Sequence, residues 1–115
     1  MKLIVSADDT ALAMHTGDVA VLATPRLIAL CEEAAIAAVA DQVPPNHTTV
    51  GMRVQIDHLA PTSVGSSVAA EATLERVEGR RLTFTVTVSD ACGLVAAGKV
   101  TRVVVETAPF LDKAR

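Results

Sequence analysis

Two periodicities of hydrophobic residues divide the chain into a helical part and a strand part. From Thr24 to about Gln42 the sequence is rich in Ala, Leu, Ile and Glu, and the pair Pro44-Pro45 follows. Thr24 is a suitable helix N-cap and Pro25 suits the first helical position, while the two later prolines end a helix. The pattern predicts one long helix. Its almost wholly apolar circumference predicts that this helix lies in the core.

Alternation of apolar and polar residues replaces this pattern after the two prolines and predicts β-strands over residues 50–61, 68–75, 82–89 and 94–105. An edge strand is expected from either residues 2–5 or residues 11–14. Because the connections are short, neighbouring strands should be antiparallel. We therefore predict an α+β single domain over residues 1–115, in which an antiparallel β-sheet is wrapped around one long central helix. In the first long strand, the set expected to face inward is Val50, Met52, Val54 and Ile56.

Composition and charge exclude several classes of function. The 115 residues are 50% hydrophobic, only two are aromatic, and the net charge is −3 without any run of Lys or Arg. We therefore expect no nucleic-acid partner. The longest apolar run, residues 34–40, is too short for a membrane span, and no signal peptide is visible. Cys31 and Cys92 have no metal-binding spacing, so we expect no metal and a reducing, cytoplasmic location.

Glu32 stands out because the predicted helix places it beside apolar neighbours. At about 100° per residue, Arg26 and Glu33 share the expected solvent stripe, whereas Glu32 is flanked by Ile28 and Ile36. A carboxylate on an apolar face must be paired, protonated or functional, because an unpaired buried charge is very costly. The structural alternatives are a hydrogen bond that closes the core or a subunit contact.

Three further residues have both a structural and a functional interpretation. His58 continues the inward set of its strand, so it is either a hydrogen-bonded core histidine or, with an inward Glu32, an acid–base pair. Thr24 is either a stabilising N-cap or a hydroxyl beside free backbone N–H groups that could hold a thioester carbonyl or an oxyanion. Arg102 interrupts an apolar strand, either with its head in solvent or as a clamp for an anionic group.

Short motifs occur in a fixed order along about residues 17–110. They are the stretch from Val21 to Glu32 with its Ala-Thr-Pro start, Thr49-Val50-Gly51, the stretch from Asp57 to Thr62, Glu78-Gly79-Arg80, and the stretch from Gly98 to Arg102. In this order and spacing they resemble the hotdog-fold thioesterases of the fluoroacetyl-CoA thioesterase-like family.

The resemblance implies an acyl-CoA thioesterase with Thr24, Glu32 and His58 as its catalytic set and with Gly51 and Arg102 near the substrate. Glu32 would attack the thioester carbonyl or activate water, and His58 would help to protonate the departing thiolate. The resemblance further implies a homodimer or a dimer of dimers with sites between subunits, and no cofactor beyond the CoA of the substrate. The fluoroacetyl preference is not carried over, because residues 15–20 contain no aromatic side chain.

Two other functions on the same fold are open at this point. One is a non-catalytic module that binds an acyl-CoA or another thioester, which a Glu32 locked in a salt bridge or a blocked pocket would favour. The other is a hydratase or dehydratase, which ranks last because the chain lacks the Asp-x4-His signature of that branch. The acyl group, the choice between CoA and acyl carrier protein, and the role of Glu32 as nucleophile or general base all stay open.

Overall fold

A five-stranded antiparallel sheet curls around one long helix in the computed structural model, which describes all 115 residues. The strands lie in the order β1-β3-β4-β5-β2 across the sheet. The elements are β1 Lys2–Ile4, a 3-10 turn Ala7–Asp9, α1 Thr24–Ala38, β2 His47–His58, β3 Ser67–Glu78, β4 Arg81–Asp90, β5 Gly93–Glu106 and α2 Thr107–Asp112. The predicted hotdog-like architecture is thus confirmed, and the edge strand comes from the first of the two proposed segments.

Helix α1 packs one face onto the sheet and ends earlier than the sequence predicts. Its buried residues are Leu27, Leu30, Cys31, Ala34 and Ala35. The predicted end at Gln42 is wrong, because the Val39 N–H already bonds to the carbonyl three residues back and residues 39–42 form turns. The helix is also less buried than predicted, since Ile36 is 45% exposed.

The core lies between this helix face and the inner face of the sheet. Seventeen buried residues form one hydrophobic cluster, in which Phe84, Val86 and Val100 of the central strands are completely buried. The connection between β3 and β4 is a tight hairpin turn in which Gly79 adopts a left-handed φ of 60°. Neither helix has the combination of length and hydropathy that crossing a bilayer requires.

Strand β2 contains a β-bulge that reverses the first half of the predicted inward set and leaves Val54 and Ile56 facing the core as predicted. Gly51 pairs with Arg102 and Arg53 pairs with Thr101, so Met52 is the extra residue between them. Met52 is 43% exposed, and the prediction that Val50 and Met52 face inward is wrong. Instead, Thr49 and Gly51 approach the helix before the bulge, and Val54, Ile56 and His58 continue on that face after it. The bulge changes which side chains of β2 meet Glu32.

Candidate active site

Thr24 lies within the first turn of α1 and contacts His58. Ala23 is the N-cap, with an extended backbone and no side-chain cap, so the prediction that Thr24 caps the helix is wrong. The Ala23 N–H bonds instead to the Asp9 carbonyl at 2.8 Å. The Thr24 hydroxyl is therefore free for another partner, and its Oγ1 lies 2.8 Å from His58 Nδ1.

His58 is the last residue of β2, and its ring is half-buried. Burial lowers the pKa of His58 below its ordinary value of 6.5, because the imidazolium loses solvation. The nearby Ala60 backbone partly opposes this decrease in pKa. The second ring nitrogen, Nε2, is buried and has no partner in hydrogen-bond geometry. His58 is therefore mostly neutral near pH 7, and its buried Nε2 is left without a partner inside the chain.

Glu32 is held by a buried arginine. Arg102 Nη1 donates to Glu32 Oε1 at 2.9 Å, and the Arg102 side chain is 7% exposed whereas that of Glu32 is 31% exposed. Arg102 also donates from Nε to Thr49 Oγ1 and from Nη2 to the Thr49 carbonyl, at 3.0 and 2.8 Å. This ion pair agrees with the expectation that a carboxylate on an apolar helix face, here Glu32, must be paired, protonated or functional. Arg102 is inside the protein, and its head is not in solvent.

Thr49 is the residue that the sequence did not single out. Its hydroxyl and its carbonyl together occupy two of the donors of Arg102 and so orient the guanidinium toward Glu32. Thr49 lies two residues before Gly51 in the Thr-Val-Gly motif, and this motif was the signal that the sequence offered. Its role depends on the inward direction that the bulge imposes on this part of β2.

Gly51 leaves room for the Glu32 carboxylate. A Cβ atom built on Gly51 would collide with Glu32 Oε1 and would also contact Arg102 Nη1. Glycine therefore permits the backbone of β2 to approach the carboxylate closely, whereas any side chain at this position would require the Glu32 carboxylate to move. Three of the predicted site residues, Glu32, Gly51 and Arg102, are thus brought together.

Two separate cavities divide the five predicted site residues. Glu32, Gly51 and Arg102 line an open cavity of about 700 Å³. Thr24 and His58 line a second cavity of about 360 Å³ that shares no residue with the first. Thr24 and Glu32 are eight residues apart on one straight helix, a rise of about 12 Å. Within one chain, the structure does not bring the Thr24–His58 pair and the Glu32–Arg102 pair together.

Solved structures with the same architecture include two informative relatives. The fluoroacetyl-CoA thioesterase FlK superposes with a TM-score of 0.93 at 27% identity, over 98% of this chain and 88% of that one. A hot-dog-like protein from Thermanaerovibrio acidaminovorans superposes with a TM-score of 0.87 at 30% identity, over 98% of this chain and 83% of that one. With the curled sheet and the single long helix, these likenesses define the class: the chain is a hotdog-fold thioesterase.

Sequence comparison identifies the family within this class. The family model described as fluoroacetyl-CoA-specific thioesterase matches residues 5–108. A fluoroacetyl-CoA thioesterase from Streptantibioticus cattleyicolor is 33% identical over 95 residues, which are 83% of this chain and 68% of that protein. The chain belongs to the fluoroacetyl-CoA-specific thioesterase family.

Proposed function

We propose that this protein hydrolyses the CoA thioester of a small or medium acyl group, using Thr24, Glu32 and His58. The observation that carries the proposal is the state of Glu32. Its Oε1 is fixed by Arg102, while no side chain or backbone group within the chain bonds to its second oxygen, and the residue lines an open cavity. A carboxylate that is oriented on one side and free on the other is suited to attack a carbonyl or to deprotonate water.

Glu32 acts on the thioester carbonyl in one of two ways. As a nucleophile it forms a mixed anhydride and expels the CoA thiolate, and water then hydrolyses the anhydride. As a general base it takes a proton from a water molecule that attacks the carbonyl directly. A hydroxylamine quench followed by mass spectrometry of the peptide that contains Glu32 separates the two, because only the anhydride leaves a hydroxamate.

Thr24 acts on the carbonyl oxygen of the thioester, and His58 acts on the departing thiolate or on the hydrolytic water. The Thr24 hydroxyl and the free N–H groups at the start of α1 stabilise the oxyanion that develops on the carbonyl. Burial lowers the pKa of His58, so the ring is neutral near pH 7 and can accept a proton. In the general-base route His58 takes from Glu32 the proton that the attacking water released and delivers it to the departing thiolate. In the nucleophile route the departing thiolate takes a proton from solvent, and His58 accepts the proton of the water that hydrolyses the anhydride. The 2.8 Å contact between Thr24 Oγ1 and His58 Nδ1 supports a joint action of these two side chains.

A second copy of the chain completes the site in this proposal. Strand β2 is 12 residues long and forms one edge of the sheet, and an uncovered edge of this length favours pairing with another strand. The separation of the two cavities supports a homodimer in which Thr24 and His58 of one subunit face Glu32 and Arg102 of the other. A dimer of dimers built from the same unit retains this arrangement.

The carrier and the location are part of the same proposal. With two phenylalanines and no other aromatic residue, the chain offers little for stacking on the adenine of CoA, so backbone, Arg and Lys contacts hold the carrier. Both cysteines are free thiols, which supports a reducing, cytoplasmic environment. No cofactor takes part in the reaction.

Hydrolysis of a panel of acyl-CoAs, followed by detection of the free thiol, tests the proposal. The wild-type protein should turn over at least one acyl-CoA, and the variants Glu32→Ala and His58→Ala should reduce kcat by about 100-fold or more. Asp41→Ala is the control, because Asp41 is an exposed carboxylate in the turn after α1 that lines neither of the two cavities. Equal rates for wild type and Glu32→Ala would refute the proposed catalytic set.

The ion pair between Arg102 and Glu32 favours a second candidate, a module that binds an acyl-CoA without cleaving it. Arg102 occupies one oxygen of Glu32 and restrains the carboxylate from moving toward a substrate. Thermal shift with acyl-CoAs separates the two candidates, since stabilisation without release of thiol supports binding alone.

A further inference from the structure

The outer face of the sheet, on the side away from α1, carries a cavity of about 250 Å³ that is lined mainly by polar side chains. Four of the lining residues are basic, namely Arg53, Arg76, Arg81 and Lys99, and one, Glu78, is acidic. The whole chain has only ten Lys and Arg residues and a net charge of −3. Positive charge is therefore concentrated at one place in an otherwise acidic protein.

The strand register places a row of four side chains across this cavity. Arg53 of β2 pairs with Thr101 of β5. Thr101 pairs in turn with Thr83 of β4, and Thr83 pairs with Arg76 of β3. Directly paired residues project from the same face of a sheet, and neighbouring strands are about 4.8 Å apart. The two threonines therefore lie side by side, with an arginine at each end of the row.

Thr101 is the buried member of this row. It lies between Val100 and Arg102, which both face α1, so its own side chain faces the outer side. Thr101 is only 9% exposed and lines the cavity. The side-chain hydrogen bonds on this face have Glu75 or Glu78 as the acceptor, and the Thr101 hydroxyl takes part in none of them. Because buried polar groups are normally hydrogen-bonded, this hydroxyl is available to a ligand.

Two of the four basic side chains have no carboxylate partner. Arg76 and Lys99 each form an ion pair with a glutamate of β3, at 3.3 and 3.2 Å. Arg53 and Arg81 form no ion pair. The protein thus leaves two guanidinium groups uncompensated beside two hydroxyl groups. Guanidinium donors match the oxygens of a phosphate in a bidentate geometry.

We infer that this cavity, the outer-face site, binds a diphosphate, either inorganic or part of a nucleotide. A diphosphate carries several negative charges and so matches four basic residues against one acidic residue, whereas a single carboxylate does not. At about 250 Å³ the site is smaller than the pockets that enclose drug-sized ligands, so it holds the phosphate groups and leaves the rest of a nucleotide outside. The sheet separates the site from Glu32, and the inference is independent of the proposed function.

Isothermal titration calorimetry with inorganic pyrophosphate tests the inference. The wild-type protein should bind one pyrophosphate per chain in a saturable manner. Arg81→Gln should weaken the binding by about tenfold or more, because it removes a charged donor that lines neither of the two catalytic cavities. Thr101→Val should weaken it about fivefold, because it removes the hydroxyl and retains the shape of the side chain.

Arg80→Gln is the matched control. Arg80 is the neighbouring exposed arginine in the turn between β3 and β4, and it does not line the outer-face site. This variant removes the same charge from the chain, so its affinity for pyrophosphate should stay within about twofold of the wild-type value.

Titration with ADP distinguishes the two sources of the diphosphate. Binding of ADP that is tighter than that of pyrophosphate, and that also weakens about tenfold in Arg81→Gln, identifies a nucleotide as the ligand. Binding of ADP that is equal or weaker identifies inorganic diphosphate. Absence of saturable binding for both probes, or an equal loss of affinity in Arg81→Gln and Arg80→Gln, would overturn the inference. No thioester is present in these titrations, so their result leaves the proposed hydrolysis unaffected.

Discussion

Two inactive variants should restore activity when they share a dimer, if the active site is built from two chains. The perturbation is the co-expression of Glu32→Ala and His58→Ala under separate affinity tags. Each homodimer lacks one essential group in both of its sites. In the mixed dimer, one site loses both groups, and the other keeps Glu32 of one chain and His58 of its partner.

The activity expected of the mixed dimer follows from the geometry of the single chain. Thr24 and Glu32 are separated by a helical rise of about 12 Å, so one carbonyl cannot contact both within one subunit. Random mixing gives half mixed dimers, each with one intact site of two, so the pool should show about a quarter of the wild-type activity. The doubly purified mixed dimer should show about half.

The assay is the release of free CoA thiol from a neutral acyl-CoA, with light scattering to confirm the dimer. Co-expression of Thr24→Ala with His58→Ala is the matched control, because these two residues contact each other in one chain and no intact pair can form in the mixed dimer. Activity in the first mixture no higher than in either variant alone would refute the shared site. A monomer at working concentration would refute it as well.

Three further predictions address single features of the structure. Gly51→Ala should lower kcat/KM by about 10- to 100-fold, because the added methyl group displaces the Glu32 carboxylate from its place beside the substrate; steady-state kinetics measure this. Stability should fall as the pH drops below about 6.5, because burial lowers the pKa of His58 in the folded chain and the unfolded chain then binds the proton more readily; urea unfolding should show a weaker pH dependence in His58→Gln. One thiol per chain should react rapidly with a thiol reagent under native conditions, since Cys92 is exposed whereas burial and the adjacent Glu32 raise the pKa of Cys31 to about 11.

Each of these predictions has a contrary result. Full activity in Gly51→Ala would mean that Glu32 does not need its present position. An equal pH dependence of stability in wild type and His58→Gln would mean that His58 titrates alike in the folded and unfolded chains. Rapid reaction of both thiols would place Cys31 in contact with solvent.

The misplaced residues were the most informative part of the sequence. Glu32 and His58 were identified because each interrupts an apolar series, and a charged or ionisable group in such a series has a cost that must be offset. In the structure, an ion pair with Arg102 offsets the cost of placing the Glu32 carboxylate among apolar residues. The sequence had singled out Arg102 as well. The pairing between the two was not predicted, because 70 residues separate them and only the sheet brings β5 against the helix.

The two incorrect predictions, the cap at Thr24 and the inward set of β2, have local physical causes. Thr24 has the residue type of an N-cap, but whether it caps the helix depends on the tertiary bond that fixes Ala23 to the Asp9 carbonyl one position earlier. The inward set of β2 was shifted because strict alternation contains no bulge, and an extra residue at Met52 exchanges the two faces of the strand. Thr49 and Gly51 therefore meet Arg102 and Glu32, where alternation expects Val50 and Met52.

The sequence patterns were sufficient to predict the α+β architecture, because the helical and the alternating patterns are local properties of the chain and a sheet wrapped around one helix buries the apolar face of both. Through the order of its motifs the sequence also determined the family. Tertiary structure decided which candidate residues touch. It joined Thr24 to His58 and Glu32 to Arg102, and it kept the two pairs in separate cavities. These distances depend on how the sheet curls and where β2 bulges, and neither feature leaves a periodic trace in the sequence.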